Sequence, residues 1–253
     1  MSSSANSEKV AFITGGARGI GFETARQLGK KGFTVVLGVR DAKKGDDAVK
    51  VLQGEGIKAE KLVGDINTAS GREAIRAELE RAHGKLDVLV NNAGIHIEPE
   101  AAPGSPANNT SRVGPEILRQ TFEVNFFTPV QLTQALLPLL RKAPAARVVN
   151  LSSGLGSLTL HSDPEQGIYG LKPFAYDSSK TALNAFTVHL AQELRDTPIK
   201  VNSAHPGWVK TDMGGSDADL DLSEGAKTSV ELATLAADGP SGGFFHLGQP
   251  LPW

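Results

Sequence analysis

Val10-Ala11-Phe12-Ile13-Thr14-Gly15-Gly16-Ala17-Arg18-Gly19-Ile20-Gly21 is an apolar run that breaks into glycines and then takes up a helical period. The run reads as a buried strand, the glycines as a tight turn, and residues 20–31 as the helix that leaves it. A helix that begins on such a turn aims unpaired N–H groups and the positive end of its dipole at whatever lies above it. Gly15 permits the tight exit, and Gly19 and Gly21 let the backbone come close to a pyrophosphate. One strand-turn-helix unit of this kind cannot bury its own faces. The rest of the chain must supply the sheet.

It does so by alternation. Strand-like runs at 9–14, 34–39, 58–63, 86–91, 147–151, 200–204 and 243–246 are separated by helical periods at 20–31, 42–53, 70–83, 117–141 and 176–195. Runs that are nearly continuous in Val, Ile and Leu are buried on both faces, as strands of a parallel sheet under two layers of helices are. The expectation is an α/β Rossmann-type doubly wound parallel sheet of about seven strands. With no repeat and no linker, residues 1–253 read as a single dinucleotide-binding domain. Segments 95–116, 153–175 and 207–222 are rich in Gly, Pro and polar residues and read as the loops that form a substrate pocket. The last of these has little apolar surface at 214–219, so it is expected to be loose until a cofactor orders it.

Composition narrows the function. A net charge of -2 lacks the basic excess that nucleic-acid binding needs, and no apolar run reaches the roughly 18 residues of a membrane span. There is no cysteine, so disulfides and thiolate chemistry are excluded, and the six scattered histidines have no metal-ligand spacing. The opening MSSSANSEKV has no apolar stretch of a secretory signal. These readings together predict a cytoplasmic protein without a metal.

A second string carries the chemistry. Tyr176-Asp177-Ser178-Ser179-Lys180 sets a phenol and an ammonium four residues apart, on one face of a helix. A phenol ordinarily titrates near 10. An ammonium about 5 Å away at an effective dielectric near 20 favours phenolate by roughly 3 kcal/mol, about two pKa units. Tyr176 is therefore expected to exchange protons near neutral pH as a general acid-base.

Further strings follow in order: Asn91-Asn92-Ala93-Gly94, Asn125 within Glu123-Val124-Asn125, Ser152-Ser153, and Pro206-Gly207. With the TGxxxGxG form of the glycine turn and the YxxxK pair, this order resembles the short-chain dehydrogenase/reductase family. The tail Pro206-Gly207-Trp208-Val209-Lys210-Thr211-Asp212-Met213 is most similar to its carbonyl-reductase branch. The resemblance implies Asn125, Ser153, Tyr176 and Lys180 as the catalytic set. It implies Gly15, Arg18, Gly19, Ile20, Gly21, Arg40, Asp65, Ile66, Asn92, Ala93, Gly94, Tyr176, Lys180, Pro206, Gly207, Val209 and Thr211 as cofactor contacts. By the same resemblance Ser153 would hold a substrate carbonyl and Lys180 the ribose hydroxyls, and Val209 to Thr211 would meet the nicotinamide carboxamide.

The identity of the nicotinamide cofactor is a question of charge. The position at the end of the second strand that is acidic in NAD users is Val39, followed by Arg40, and Arg18 lies in the glycine turn. Two arginines without a competing carboxylate favour NADPH over NAD, although Asp41 could partly neutralise Arg40. The expected reaction is reduction of a small neutral carbonyl to an alcohol. Two alternatives remain, an NAD-dependent alcohol dehydrogenase of the same family and a non-catalytic NADPH-binding sensor or scaffold. A pure binding module would not need the Asn125, Ser153, Tyr176 and Lys180 set. Expected pocket walls are His96, Gly154, Leu155, residues 158–169, Trp208 and Met213, without a cationic patch. Tyr176 follows Ser153 by 23 residues, longer than in most members of the family, which leaves open whether the chain is a homo-oligomer.

Overall fold

The computed structural model describes residues 8–98 and 110–253. Eight strands form one sheet: β1 (Val10–Thr14), β2 (Thr34–Val39), β3 (Ala59–Val63), β4 (Val88–Asn91), β5 (Arg147–Leu151), β6 (Lys200–Ala204), β7 (Phe244–His246) and β8 (Gln249–Pro250). Their order is β3-β2-β1-β4-β5-β6-β7-β8, and every pair is parallel except β7 with β8. The chain winds outward from β1 in both directions, so the topological switch lies between β1 and β4. In open α/β sheets this is where ligands bind, beyond the carboxyl ends of the strands.

The helices are α1 (Gly19–Lys30), α2 (Ala42–Gly54), α3 (Ala69–His83), α4 (Pro115–Phe122), α5 (Thr128–Leu140), α6 (Leu158–Ser162), α7 (Phe174–Glu193), α8 (Leu222–Gly225) and α9 (Lys227–Ala233). Alternate strand residues feed two cores. Ile13, Val35, Leu37, Val90 and Val149 pack with Leu28 of α1, Leu52 of α2 and Val230 of α9. Phe12, Val36, Leu89, Val148 and Val201 pack with Leu79 of α3, the leucines of α5 and Leu190 of α7. A strand buried on both faces can afford no polar side chain without a partner, which is why these runs read as nearly continuous apolar sequence.

The architecture matches the expected doubly wound sheet, with three local differences. The eighth strand escapes sequence reading because it is two residues long and contains Pro250; it pairs only through a hairpin whose turn holds Leu247 at φ 46° and Gly248 at φ 76°. The single helix expected over 117–141 is interrupted by a π-helical turn, Glu123–Phe127, in which the Thr128 amide reaches back to the Glu123 carbonyl. Segment 153–175 is not wholly irregular: it contains a 3-10 turn, Gly154–Gly156, and the short helix α6, capped by Ser157 accepting from the Leu160 amide at 3.2 Å.

A polar ladder crosses the second core. Asn91, Asn150 and Ser203 lie in register on β4, β5 and β6. Asn91 Nδ2 donates to Asn150 Oδ1 at 2.8 Å and to Thr133 Oγ1 of α5 at 3.0 Å. Asn150 Nδ2 donates to Thr187 Oγ1 of α7 at 2.8 Å, and Thr187 pairs with Ser203 at 2.8 Å. The ladder fixes the sideways position of α5 and α7 on the sheet, which apolar contact alone leaves loose. Asn150→Leu should therefore leave one proton of the Asn91 amide unpaired, remove one donor from Thr187, and lower stability by about 1–3 kcal/mol in urea unfolding. A loss within experimental error would mean that the ladder contributes nothing.

Candidate active site

The glycine turn is pinned to the strand beside it through Thr14. The amides of Asn92 and Ala93 both donate to Thr14 Oγ1 at 2.9 Å, and Asn92 Nδ2 donates to the Thr14 carbonyl at 2.7 Å. Gly15 and Gly19 hold φ of 65° and 56°, a region closed to side chains at low cost. A Cβ on Gly21 would lie 2.5 Å from Asn92 Nδ2 and 2.6 Å from the Gly15 carbonyl, so only glycine lets α1 start here. Above Gly19 the space is open: a Cβ there would meet only Thr211 Cγ2, at 3.9 Å. The N-terminus of α1 has no side-chain cap at Arg18, and Ile20 packs back onto the first core. Free first-turn amides, a dipole end and a surface without side chains fit a dinucleotide pyrophosphate.

On the other side of the switch point, Asn125 sits fully buried in the π-turn. Its Oδ1 accepts from the Ile95 amide at 2.8 Å while its Nδ2 donates to the Ile95 carbonyl at 2.9 Å and to Ser179 Oγ of α7 at 3.1 Å. One amide side chain thus joins the Asn92-Ala93-Gly94 segment to α7. Lys180 is buried and donates to the Leu151 carbonyl at the end of β5 at 2.7 Å, and its Nζ lies 5.6 Å from the centre of the Tyr176 ring. A Cβ on Gly94 would stand 3.3 Å from Asn125 Oδ1 and 3.5 Å from Lys180 Nζ, so the approach to both is backbone-lined. Ser153 follows β5, accepts from the Leu155 amide at 3.2 Å and hydrogen-bonds the Tyr176 phenol.

The start of α7 has an acceptor that the sequence does not reveal. Pro173 occupies the N-cap and offers no side-chain hydrogen bond. Glu98 supplies it from 77 residues away, accepting from the Ala175 amide at 2.9 Å and from the Tyr176 amide at 2.8 Å. A carboxylate on these two amides replaces an N-cap side chain and complements the helix dipole. It also fixes the backbone of Tyr176 itself and brings the His96 ring to 5.0 Å from the Tyr176 ring.

Electrostatics here runs opposite to the expectation from spacing. Burial pushes the Tyr176 phenol up to about 12, with the Ser153 hydrogen bond opposing and Asp177 adding to the rise. Burial pushes Lys180 down to about 8. The ammonium gives its short bond to Leu151 rather than to the phenol, so desolvation outweighs the attraction that the four-residue spacing suggested. The phenol keeps its proton at neutral pH.

Asp177 is a buried carboxyl next to Tyr176, and burial together with Glu98 raises it to about 8. Its Oδ2 is 3.2 Å from His161 Nε2, the geometry of an ion pair. Yet His161 also contacts the Leu155 carbonyl at 2.9 Å, receives Lys172 Nζ on Nδ1 at 3.1 Å, and is itself held below its usual range by burial and Lys172. The contact is therefore one between neutral groups at pH 7.

The remaining expected positions fall around the same crevice. Arg40 is exposed just past β2 and forms no ion pair among the described residues. Asp41 forms no ion pair with it and instead caps α2 by accepting from the Lys44 amide at 3.1 Å. Arg18 is paired with Asp212, both highly exposed, which lies 194 residues on. Asp65 follows β3 and binds its own turn through Asn67, and Ile66 packs on the second core. Segment 207–222 is braced more firmly than its composition suggested. Gly207 takes φ 85°, Val209 bridges to Leu220, Thr211 Oγ1 accepts from the Gly214 amide at 3.0 Å, Trp208 Nε1 donates to the Gly214 carbonyl at 2.8 Å, and Ala218 is buried. Its polar and backbone bonds do what apolar contact does not. Trp208, Met213, Leu158 and Tyr169 keep their apolar surfaces exposed, and Leu155 is half-buried. Residues 99–109 of the expected loop 95–116 lie outside the described residues. Among the described residues no group of His, Asp or Glu could hold a metal ion and no helix is long and apolar enough to cross a membrane.

Comparison with known proteins gives a consistent result. The profile of the short chain dehydrogenase family matches residues 9–220. A (+)-neomenthol dehydrogenase of Capsicum annuum is 30% identical, over 97% of this chain and 98% of its own. An NADPH carbonyl reductase of Mus musculus is 33% identical, over 98% of this chain and 99% of its own. The structure of NADPH-bound carbonyl reductase from chicken fatty liver superposes with a TM-score of 0.82 at 26% identity, covering 97% of this chain and 99% of that one.

The Asp177 carboxyl yields a signed pH prediction. Its raised value means that the folded protein binds a proton that the unfolded chain has already lost at neutral pH. Stability is thus fullest below the unfolded value near 4 and falls as pH rises toward the folded value of about 8. Asp177→Asn should flatten this slope by on the order of 1 kcal/mol or more across the window, read from urea unfolding at several pH values. Parallel curves for the two proteins would show that Asp177 is ionised in the fold.

Proposed function

The chain belongs to the short-chain dehydrogenase family, and we propose that it reduces a ketone or aldehyde to an alcohol with NADPH, Tyr176 giving the proton. The observation that carries this reading is the meeting of the Tyr176 phenol, the Ser153 hydroxyl and the buried Lys180 ammonium beyond the carboxyl end of β5. The NADPH carbonyl reductases among its relatives support the cofactor and the reaction class.

The site residues have separable tasks. Gly15, Gly19, Ile20 and Gly21 at the start of α1 would receive the pyrophosphate, with Asp65 and Ile66 beside the adenine. Arg40 would face the 2′-phosphate, joined by Arg18 once it leaves Asp212. Asn92, Ala93, Gly94, Pro206, Gly207, Val209 and Thr211 would line the nicotinamide end. A bound nicotinamide supplies the hydride. Ser153 directs its hydroxyl at the carbonyl oxygen and holds it beside Tyr176. Tyr176 Oη passes its proton to that oxygen as negative charge grows there. The phenolate left behind is stabilised by Lys180, and Tyr176 enters the reaction in its protonated form, as a donor must. The exposed apolar surfaces of Trp208, Met213, Leu158 and Tyr169 suit a small neutral carbonyl.

Tyr176→Phe keeps the ring and removes only the transferable proton. It should bind NADPH as the unaltered protein does, by fluorescence titration, and lose at least about a hundredfold in kcat with a panel of ketones, aldehydes and quinones followed at 340 nm. An unaltered protein that binds NADPH tightly but turns over nothing on that panel would instead be a sensor or scaffold.

Arg40→Asp tests the cofactor. Loss of one charge-assisted contact, with repulsion added, should lower kcat/KM for NADPH by at least about tenfold and leave NADH nearly unchanged. Equal losses with both cofactors would remove Arg40 from the 2′-phosphate.

A further inference from the structure

His205 stands between β6 and the Pro206-Gly207 turn, and the reaction scheme above gives it no task. Its backbone is fixed on both sides by β7: its amide donates to the Phe245 carbonyl at 2.8 Å, and its carbonyl lies 3.0 Å from His246 Nδ1. The ring therefore has little freedom. It lies 4.9 Å from the His246 ring and 6.5 Å from Phe244, and it reaches across to the segment that follows β5.

There, His205 Nδ1 accepts from the Gly154 amide at 3.0 Å and faces a second donor, the Gly207 amide, at 3.4 Å. Two N–H groups on one nitrogen require a lone pair, so the imidazole is neutral with its proton on Nε2. Burial and the neighbouring His246 hold His205 down to about 4, which keeps that lone pair available across the neutral range. Gly154 has no Cβ, and one built there would stand 3.3 Å from His205 Nε2. The ring thus lies against the peptide that joins Ser153 to Gly154.

This peptide sets the direction of Ser153. Ser153 holds φ -152° and ψ 150° as the N-cap of the Gly154–Gly156 turn, and its Oγ accepts from the Leu155 amide. With a lone pair taken by Leu155, the hydroxyl hydrogen is left for the side on which the Tyr176 phenol lies. Rotation of the Ser153-Gly154 peptide would carry the Leu155 amide and the hydroxyl away together.

We propose that His205 is a positioning residue: its Nδ1 lone pair anchors the Gly154 amide, and so aims the Ser153 hydroxyl at the substrate carbonyl. This rests on the reading of Ser153 as the residue that holds that carbonyl.

The test uses His205→Leu, which removes the acceptor, and His205→Asn, whose Oδ1 stands the same number of bonds from Cα as Nδ1. Each is measured alone and in a Ser153→Ala background. His205→Leu should lower kcat by about tenfold or more with the NADPH dissociation constant unchanged, and His205→Asn should recover most of the loss. In the Ser153→Ala background His205→Leu should cost less than about a further twofold, since the group it aims is gone. An undiminished kcat in His205→Leu, or the full loss repeated in the Ser153→Ala background, would overturn the proposal. Amide exchange gives a readout free of turnover: Gly154 should be protected in the unaltered protein and in His205→Asn, and exchange freely in His205→Leu. Equal protection in all three would also overturn it. Should His205→Leu not fold, the ring nitrogens of the unaltered protein decide by 15N shifts, because a proton on Nδ1 excludes the bond. A wild-type chain that reduces no carbonyl would end the reading of Ser153, and with it this proposal, whereas His205→Leu alone losing kcat normally in both backgrounds would end only the latter.

Discussion

The 2.7 Å hydrogen bond from the Lys180 ammonium to the Leu151 carbonyl is the constraint on which the site turns. An ammonium taken out of water must find an acceptor, and the end of a parallel strand offers carbonyls that no further strand residue can use. By taking one, Lys180 locks α7 to the carboxyl end of β5. The polar ladder of Asn91, Asn150, Thr187 and Ser203 does the same for the middle of α7. Between them the helix can neither slide nor roll. Tyr176, one turn before Lys180, and Ser153, two residues after Leu151, are thereby brought to the same point.

Once α7 is fixed, the loops are organised around it by single polar side chains. Asn125 ties in the backbone of Ile95, and Glu98 ties in the amides of Ala175 and Tyr176. The π-turn has a direct geometric consequence here: the extra residue in the turn lets Asn125 face Ile95 and Ser179 at once, and π-turns recur at functional sites for such reasons. The price is a site dense in buried polar groups. Asp177, His161 and Tyr176 all remain neutral at pH 7 because there is too little water to support their charges.

On the cofactor side, the arrangement is looser and more exposed. Arg18 and Asp212 bridge the glycine turn and the 207–222 segment across the crevice. An exposed pair of this kind contributes little to stability, so it can exchange partners when an anion of higher charge arrives. Among the described residues Arg40 has no carboxylate partner to leave, and Asp41 is committed to the N-terminus of α2. The two arginines therefore differ in their starting states, Arg18 paired and Arg40 without an ion pair among the described residues.

The sequence by itself determined the sheet, the glycine turn and the placing of Tyr176 and Lys180 on one helix face. These depend on local patterns: strands buried on both faces read as apolar runs, a turn at positive φ demands Gly15 and Gly19, and a helix places Tyr176 and Lys180 on one face. What it could not determine was everything set by distance in space rather than along the chain. Spacing predicted that Lys180 would lower the Tyr176 phenol; burial raised it, because desolvation depends on what packs around a group and not on its neighbours in sequence. Glu98 and His205 show the same limit, each meeting a partner 77 or 51 positions away along the chain. The short strand β8 and the break at Glu123–Phe127 were likewise decided by tertiary contact, since a two-residue strand and one extra helical residue leave no periodicity to read.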